Sequence, residues 1–140
     1  MAVTANQIVK RQGGPYGRKS VPVAASKNLY EGSAVFLDAA GRATDVKVDA
    51  TTIFAGIAIA QADNSSGAAG AINVEVWTNG DFELAVGSLA LADGGVTVYA
   101  SDNYTFTKTS TANSTIGKVS RYVSSGVGIV AIHGIGEAVS

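Results

Sequence analysis

The sequence predicts an all-β fold: a single-domain β-sandwich or jelly-roll-like barrel of short antiparallel strands, carrying an extended N-terminal arm. Three observations point there. Residues suited to a pleated, half-buried surface dominate, with 17 Val, 9 Ile and 11 Thr against 5 Leu and 1 Met. No window repeats apolar residues at i, i+3, i+4 and i+7 for three turns, whereas short alternating runs recur at the roughly 8–12-residue spacing of sandwiches and barrels. A chain of 140 residues is one domain, able to bury about two-thirds of the surface it would expose unfolded.

The elements follow in order. Residues 1–20 read as the arm, because Gly13-Gly14-Pro15-Tyr16-Gly17 admits no regular element past Gln12. Residues 21–140 form the body. Glu31-Gly32-Ser33-Ala34-Val35-Phe36-Leu37 is a turn leading into a strand, and Ile53-Phe54-Ala55-Gly56-Ile57 opens another near a glycine. The small, polar run from Gln61 to Gly70 is expected to be a mobile surface loop.

Ile72 to Val86 alternates around Asn79-Gly80 and is expected to form a hairpin. A three-residue loop, Thr78-Asn79-Gly80, pairs Val76 with Phe82, Val74 with Leu84 and Ile72 with Val86, keeping one apolar face. A two-residue turn would split it. Lys118–Val123 and Val127–Ile132 repeat the arrangement about Ser124-Ser125-Gly126, the second strand apolar on both faces as in a central strand or a subunit contact. Asp93-Gly94-Gly95-Val96-Thr97-Val98-Tyr99 resembles Glu31–Leu37, and Ser114-Thr115-Ile116-Gly117-Lys118 resembles Ile53–Ile57. The offset of about 62 residues suggests two similar sub-motifs folded into one body.

Charge is sparse and uneven. Hydrophobic residues make up 46% and charged ones 15%, against about 25% charged in a typical domain, so part of the surface is expected to be covered. Residues 1–30 carry Lys10, Arg11, Arg18, Lys19 and Lys27 with no acid, while the rest of the chain has an excess of acids. The absence of cysteine excludes disulfides, thiol nucleophiles and thiolate metal sites. The opening residues lack the basic-then-apolar pattern of a secretory signal, and the longest apolar stretch, Ile53 to Ala60, is far shorter than the roughly 20 residues of a bilayer span. A soluble protein with no membrane partner is expected.

Chemistry is hard to assemble. The single histidine, His133, ends an apolar strand with no second ligand and no nucleophile pattern around it. Gly17-Arg18-Lys19-Ser20 echoes a phosphate-binding loop but has arginine where glycine must precede the lysine. Asp38, Asp45 and Asp49 lie among turn residues without calcium-loop spacing. No catalytic residue, metal or cofactor is expected, and the chain does not read as an enzyme. Five bases without interleaved aromatics, on an acidic body, make a poor nucleic-acid track.

In the hairpin register above, Glu75 lies across from Glu83 and Trp77 across from Asp81. Opposed like charges destabilise a sheet. Either the face is solvated, or a partner supplies a cation beside the only tryptophan; Arg11, Arg18 or Lys19 reaching over from a neighbouring subunit would serve.

The order of these segments resembles a family. Glu31-Gly32-Ser33-Ala34-Val35, Phe54-Ala55-Gly56-Ile57-Ala58, Val74-Glu75-Val76-Trp77-Thr78-Asn79-Gly80-Asp81-Phe82 and Thr115-Ile116-Gly117-Lys118-Val119 are similar to the small head-decoration, or cement, proteins of tailed bacteriophages. The likeness is nearest to those of short-tailed Bordetella-type phages and relatives mislabelled as phage recombinases. It spans nearly the whole chain and rests on diffuse Gly-Val patterns. It implies a structural virion protein, made in the host cytoplasm, that sits on the outer capsid surface and bridges neighbouring major-capsid subunits as a homo-oligomer, dimer or trimer. The family has no catalytic residues to carry over. Candidate capsid or subunit contacts are Lys10, Arg11, Tyr16, Arg18, Lys19, Glu75, Trp77, Asp81 and Glu83. The alternative is a tail, fibre or adhesin module that recognises a host glycan through Trp77 and the nearby acids.

Overall fold

The computed structural model describes residues 2–7, 11–13 and 17–136, with 11–13 described through the backbone alone. The strands are β1 (Arg11–Gly13), β2 (Arg18–Pro22), β3 (Lys27–Leu29), β4 (Ala34–Leu37), β5 (Ala43–Thr44), β6 (Ile53–Ala58), β7 (Ala62–Asn64), β8 (Asn73–Trp77), β9 (Asn79–Ala85), β10 (Thr97–Asp102), β11 (Thr105–Thr107), β12 (Ser114–Ser124) and β13 (Val127–His133). One 3-10 turn, Leu91–Asp93, is the helical element among the described residues. One sheet has the order β2-β8-β6-β4-β5, a second the order β1-β9-β13-β12-β10-β11, and β3-β7 is a separate ribbon. Every ladder is antiparallel. The all-β, sandwich-like expectation holds.

With β1 set aside, the two sheets are the same object built twice. Each takes its strands in the spatial order first, fifth, fourth, second, third of its half of the chain. Val35 pairs with Gly56 as Val98 pairs with Gly117, and both ladders slip at the next residue. Beyond the slip, Phe36 pairs with Thr44 as Tyr99 pairs with Thr107, and Leu37 with Ala43 as Ala100 with Phe106. Each half curls towards closure through a parallel bridge, Val23 to Ala43 in one and Val86 to Phe106 in the other.

The sequence repeat is therefore structural, with its alignment corrected by one residue. Gly95, not Gly94, takes the place of Gly32. Both have positive φ, 80° and 84°, which favours glycine. Their N–H groups donate to the carbonyls of Ala58 and Val119, themselves at equivalent positions.

Two apolar clusters result. One joins Phe82, Leu84, Val98, Ile116, Val119, Val130 and Ile132 of the second sheet to Ala34, Phe36, Phe54 and Ile57 of the first. The other gathers Val21, Val23, Val35, Ala43, Ala55, Ala58, Val74 and Val76, with Leu29 and Ala62 from the ribbon. Val35 and Phe36 thus serve different clusters, as alternation along a strand requires.

The expected hairpin at 72–86 does not form. β8 and β9 belong to different sheets, and the chain passes between them at Thr78. Val74, Val76, Thr78, Gly80, Phe82, Leu84 and Val86 are all buried, so one alternating strand runs through the region and changes sheets midway. A hairpin tip would leave Thr78 and Gly80 in water. Instead Thr78 donates its N–H to the Gly17 carbonyl and accepts at its own carbonyl from Gly134 N–H. The pairing sides of β8 are filled by β2 and β6, and those of β9 by β1 and β13.

The second hairpin does form, and of the two placements its two-sided apolar strand allowed, β13 takes the central one, between β9 and β12. Its loop is one residue shorter than predicted: Ser124 pairs with Val127, and the register shift between Tyr122 and Ser124 leaves Val123 bulged and exposed. The segment 61–70 is also corrected. It contains β7, and the buried Asn64 amide donates to the Ala24 and Ala68 carbonyls at 3.1 and 3.0 Å, tying the turn down.

A Cβ on Gly56 would lie 2.2 Å from the Trp77 carbonyl oxygen, and one on Gly117 would lie 2.0 Å from that of Ala131, the equivalent neighbour. Gly56→Ala and Gly117→Ala should each lower unfolding stability by about 1–3 kcal/mol through forced separation of the ladder. Gly94→Ala, with no atom within 4 Å of the new carbon and φ of −55°, should stay within about 0.5 kcal/mol of the parent. Urea titrations of the three variants test the contrast.

Candidate interaction surfaces

Three of the sequence candidates meet on the exposed face of the first sheet. Antiparallel pairing sets Arg18 across from Trp77 and Ser20 across from Glu75. Arg18 Nη2 lies 2.5 Å from Glu75 Oε1, and its guanidinium carbon stands 5.6 Å from the centre of the Trp77 ring. The cation beside the acid and the tryptophan is thus supplied by the chain's own β2, where the sequence allowed either a solvated face or a cation from a neighbouring subunit. Both ion-pair partners are half exposed, so the pair contributes about 0–1 kcal/mol.

The opposition of Glu75 to Glu83 disappears with the hairpin. Glu83 faces Ile129 on β13, while Asp81 faces Ala131 on one side and Gly13 on the other. Asp81 and Glu83 lie on β9, in the second sheet, apart from the Arg18 cluster. Lys19 is exposed on β2. Arg11 is described through its backbone, which pairs with Phe82. Lys10 and Tyr16 lie outside the described residues.

The N-terminal segment is strapped along its own body. Asn103, almost wholly buried, accepts from Val3 N–H at 3.0 Å and donates to the Val3 carbonyl at 3.4 Å. Gln7 N–H donates to the Glu31 carbonyl, Glu31 N–H to Asn6 Oδ1, and Gly17 N–H to Asn79 Oδ1. The strap therefore touches both halves before it runs into β2.

The sequence reading missed a groove of about 990 Å³ beside the β5–β6 connection. Leu37, Val46, Val48 and Ile53 give it an apolar lining, with Val46, Val48 and Ile53 exposed by 46, 77 and 55%. The repeat shows that the fold does not demand this. Carried 63 residues on from the Thr44–Thr107 equivalence, Val46 and Val48 correspond to Thr109 and Thr111; Ile53, which pairs with Leu37 as Ser114 pairs with Ala100, corresponds to Ser114, 61 residues on. The available signal was the alternation Asp45-Val46-Lys47-Val48-Asp49 in a short polar return.

The acids around the groove are satisfied locally. Asp38 accepts from the N–H groups of Ala40 and Arg42, and Asp49 from the hydroxyl and N–H of Thr51, contacts that hold the Asp49 carboxyl below the ordinary Asp range. Both behave as the turn formers expected. Asp45 instead forms a half-buried pair with Lys27 at 3.2 Å, and Lys47 reaches the Ala112 carbonyl of the other half. His133 is half-buried at the end of β13 across from Asn79, its Nδ1 without a hydrogen bond. Among the described residues, no three or more His, Cys, Asp or Glu gather as a metal site. Among the same residues, no helix is long and apolar enough to cross a membrane. No family model, curated protein or solved structure matches this chain.

Two predictions follow from these contacts. Arg18→Ala should change the emission of Trp77, the only tryptophan, while lowering stability by less than about 1 kcal/mol; fluorescence and urea titration read the two effects. The Asp93 carboxyl is held below its ordinary value by Lys108 Nζ at 2.7 Å and by Ala90 N–H, and that of Asp63 by the Ser65 hydroxyl and N–H. The unfolded chain binds protons at these groups more readily, so their stabilisation is complete above the ordinary pKa of about 3.9 and is lost as pH falls below it. The urea midpoint should therefore drop between pH 6 and pH 3, and drop less in Asp93→Asn.

Proposed function

We propose that this protein is a structural virion component that binds the outer surface of a tailed-phage capsid and stabilises the shell by bridging neighbouring major-capsid subunits, acting as a homo-oligomer. The observation that carries the reading is the apolar groove. A body with few charges exposes Val46, Val48 and Ile53 together at one place, in a half whose structural duplicate uses Thr and Ser there. Apolar residues gathered in this way suit a protein contact. The resemblance to head-decoration proteins names the partner, the major capsid protein, and the site of action, the virion exterior.

The duplicated all-β body and the strap across it suit a clamp, since contacts to several subunits stabilise a shell by mass action. The glycan-binding alternative is weaker, because the Arg18 guanidinium covers a face of the Trp77 ring that a sugar would stack against.

Expanded heads lacking the protein are the test. The purified chain should bind them, raise their resistance to heat, and behave as an oligomer in light scattering. Val48→Asp and Ile53→Asp, both exposed, should leave the melting temperature of the free protein within about 2 °C, since surface changes are worth about 0.5 kcal/mol or less. They should weaken head binding at least about tenfold, equivalent to 1.4 kcal/mol. Failure of the parent protein to bind heads would sink the proposal.

A further inference from the structure

The duplication exposes an asymmetry in how the two halves treat their first strands. β9, first strand of the second half, has β13 on one side and β1 on the other. β2, its equivalent, has β8 on one side and, among the described residues, no strand beside its Arg18–Ser20 stretch on the other. The positions correspond through their registers: Arg18 faces Trp77 as Asp81 faces Ala131, and Ser20 faces Glu75 as Glu83 faces Ile129. The edge that accepts a strand in one half is thus present in the other, where no described strand pairs with it.

The backbone phase agrees. Val23 N–H donates to the Ile72 carbonyl as Val86 N–H donates to that of Gly126. By the two-residue period of a strand, Val21 and Lys19 then turn their backbone groups to β8, while Arg18, Ser20 and Pro22 turn theirs to the open side. Pro22 has no N–H to offer there, which is the placement proline requires on an edge. Arg18 and Ser20 retain both donor and acceptor.

Charge separates the two edges. The filled edge, β9, carries Asp81 and Glu83, and the strand lying on it is Arg11-Gln12-Gly13, basic in sequence. The open edge, β2, carries Arg18 and Lys19. Arg18 has Glu75 on one face of the sheet, whereas Lys19, on the other, has no ion-pair partner among the described residues. Cationic side chains and a proline also disfavour pairing of β2 with the basic arm of another copy. The strand this edge fits has the opposite sign.

We propose that the Arg18–Ser20 edge of β2 is a docking site for an extended acidic segment of a partner protein, which adds a strand to the first sheet as β1 adds one to the second. Backbone hydrogen bonds at Arg18 and Ser20 supply the pairing, and carboxylates beside Lys19 supply the selectivity. The site lies apart from the apolar groove, and its test does not depend on capsid binding.

The capped peptide acetyl-Val-Glu-Val-Glu-Val-Glu-amide, titrated into the isotopically labelled full-length chain, should shift the Arg18 and Ser20 amide signals saturably and slow their hydrogen exchange. The Val-Lys counterpart should do neither. Lys19→Glu should weaken the acidic peptide about tenfold and admit the basic one, and Ser20→Pro, which removes an outward N–H without changing charge, should abolish binding. Signals that map to another edge, equal binding of both peptides, or an unchanged affinity in Lys19→Glu would each overturn the proposal. Lys19→Glu alters an exposed side chain, so it remains informative if Ser20→Pro fails to fold.

Discussion

The architecture depends on the passage of one strand between two sheets at Thr78. This residue is fully buried, so its backbone N–H and C=O both need partners inside the protein. They find them in Gly17 and Gly134, at the start of β2 and just after the end of β13. One crossing residue therefore ties together the beginning of the first half, the end of the second and the junction between them. The close approach is visible at Gly134, where a Cβ would stand 2.2 Å from the Ala55 carbonyl oxygen.

Around that junction the chain repeats a five-stranded unit with the same order, the same ladder slip and the same closing bridge. The halves differ in how they fill the space. The second uses Phe106, Ile116 and Val119 where the first has Ala43, Ala55 and Ala58, and the first draws Leu29 and Ala62 from the β3–β7 ribbon to complete its cluster. Small residues and an added ribbon reach the same end as large residues without one, because close packing constrains total volume more than any single side chain. Differences that packing does not explain, the Val46–Val48–Ile53 lining and the sign of the first strand's charge, fall on the surface and carry the functional readings.

The candidate site was legible in part. Glu75 and Trp77 stand at outward-facing positions of an alternating run and Arg18 in the basic arm, and the three do meet, since alternation places the first two on one face whatever the strand pairs with. The source of their cation is not legible in the sequence, because it depends on which strand lies alongside, and that strand is β2. Asp81 and Glu83 were grouped with them through a hairpin that does not exist. The groove is not legible in the sequence because Val46 and Val48 sit in a connection too short and polar to read as an element, and its other walls come from distant segments, among them Ala24, Lys27 and Ala69.

Composition and period determined the all-β class, the alternating burial along 74–86, the second hairpin and the presence of a repeat, because each of these is a property of local stretches of chain. Tertiary structure alone decided where strand 73–86 goes after Thr78. An Asn-Gly dipeptide between alternating runs has the same pattern in a hairpin as in a strand that bends between sheets. What separates them is whether Thr78 and Gly80 are buried, and burial is set by Gly17, Gly134 and the strands that fill both sides of β8 and β9. Those residues are distant in sequence, so no local pattern could announce them.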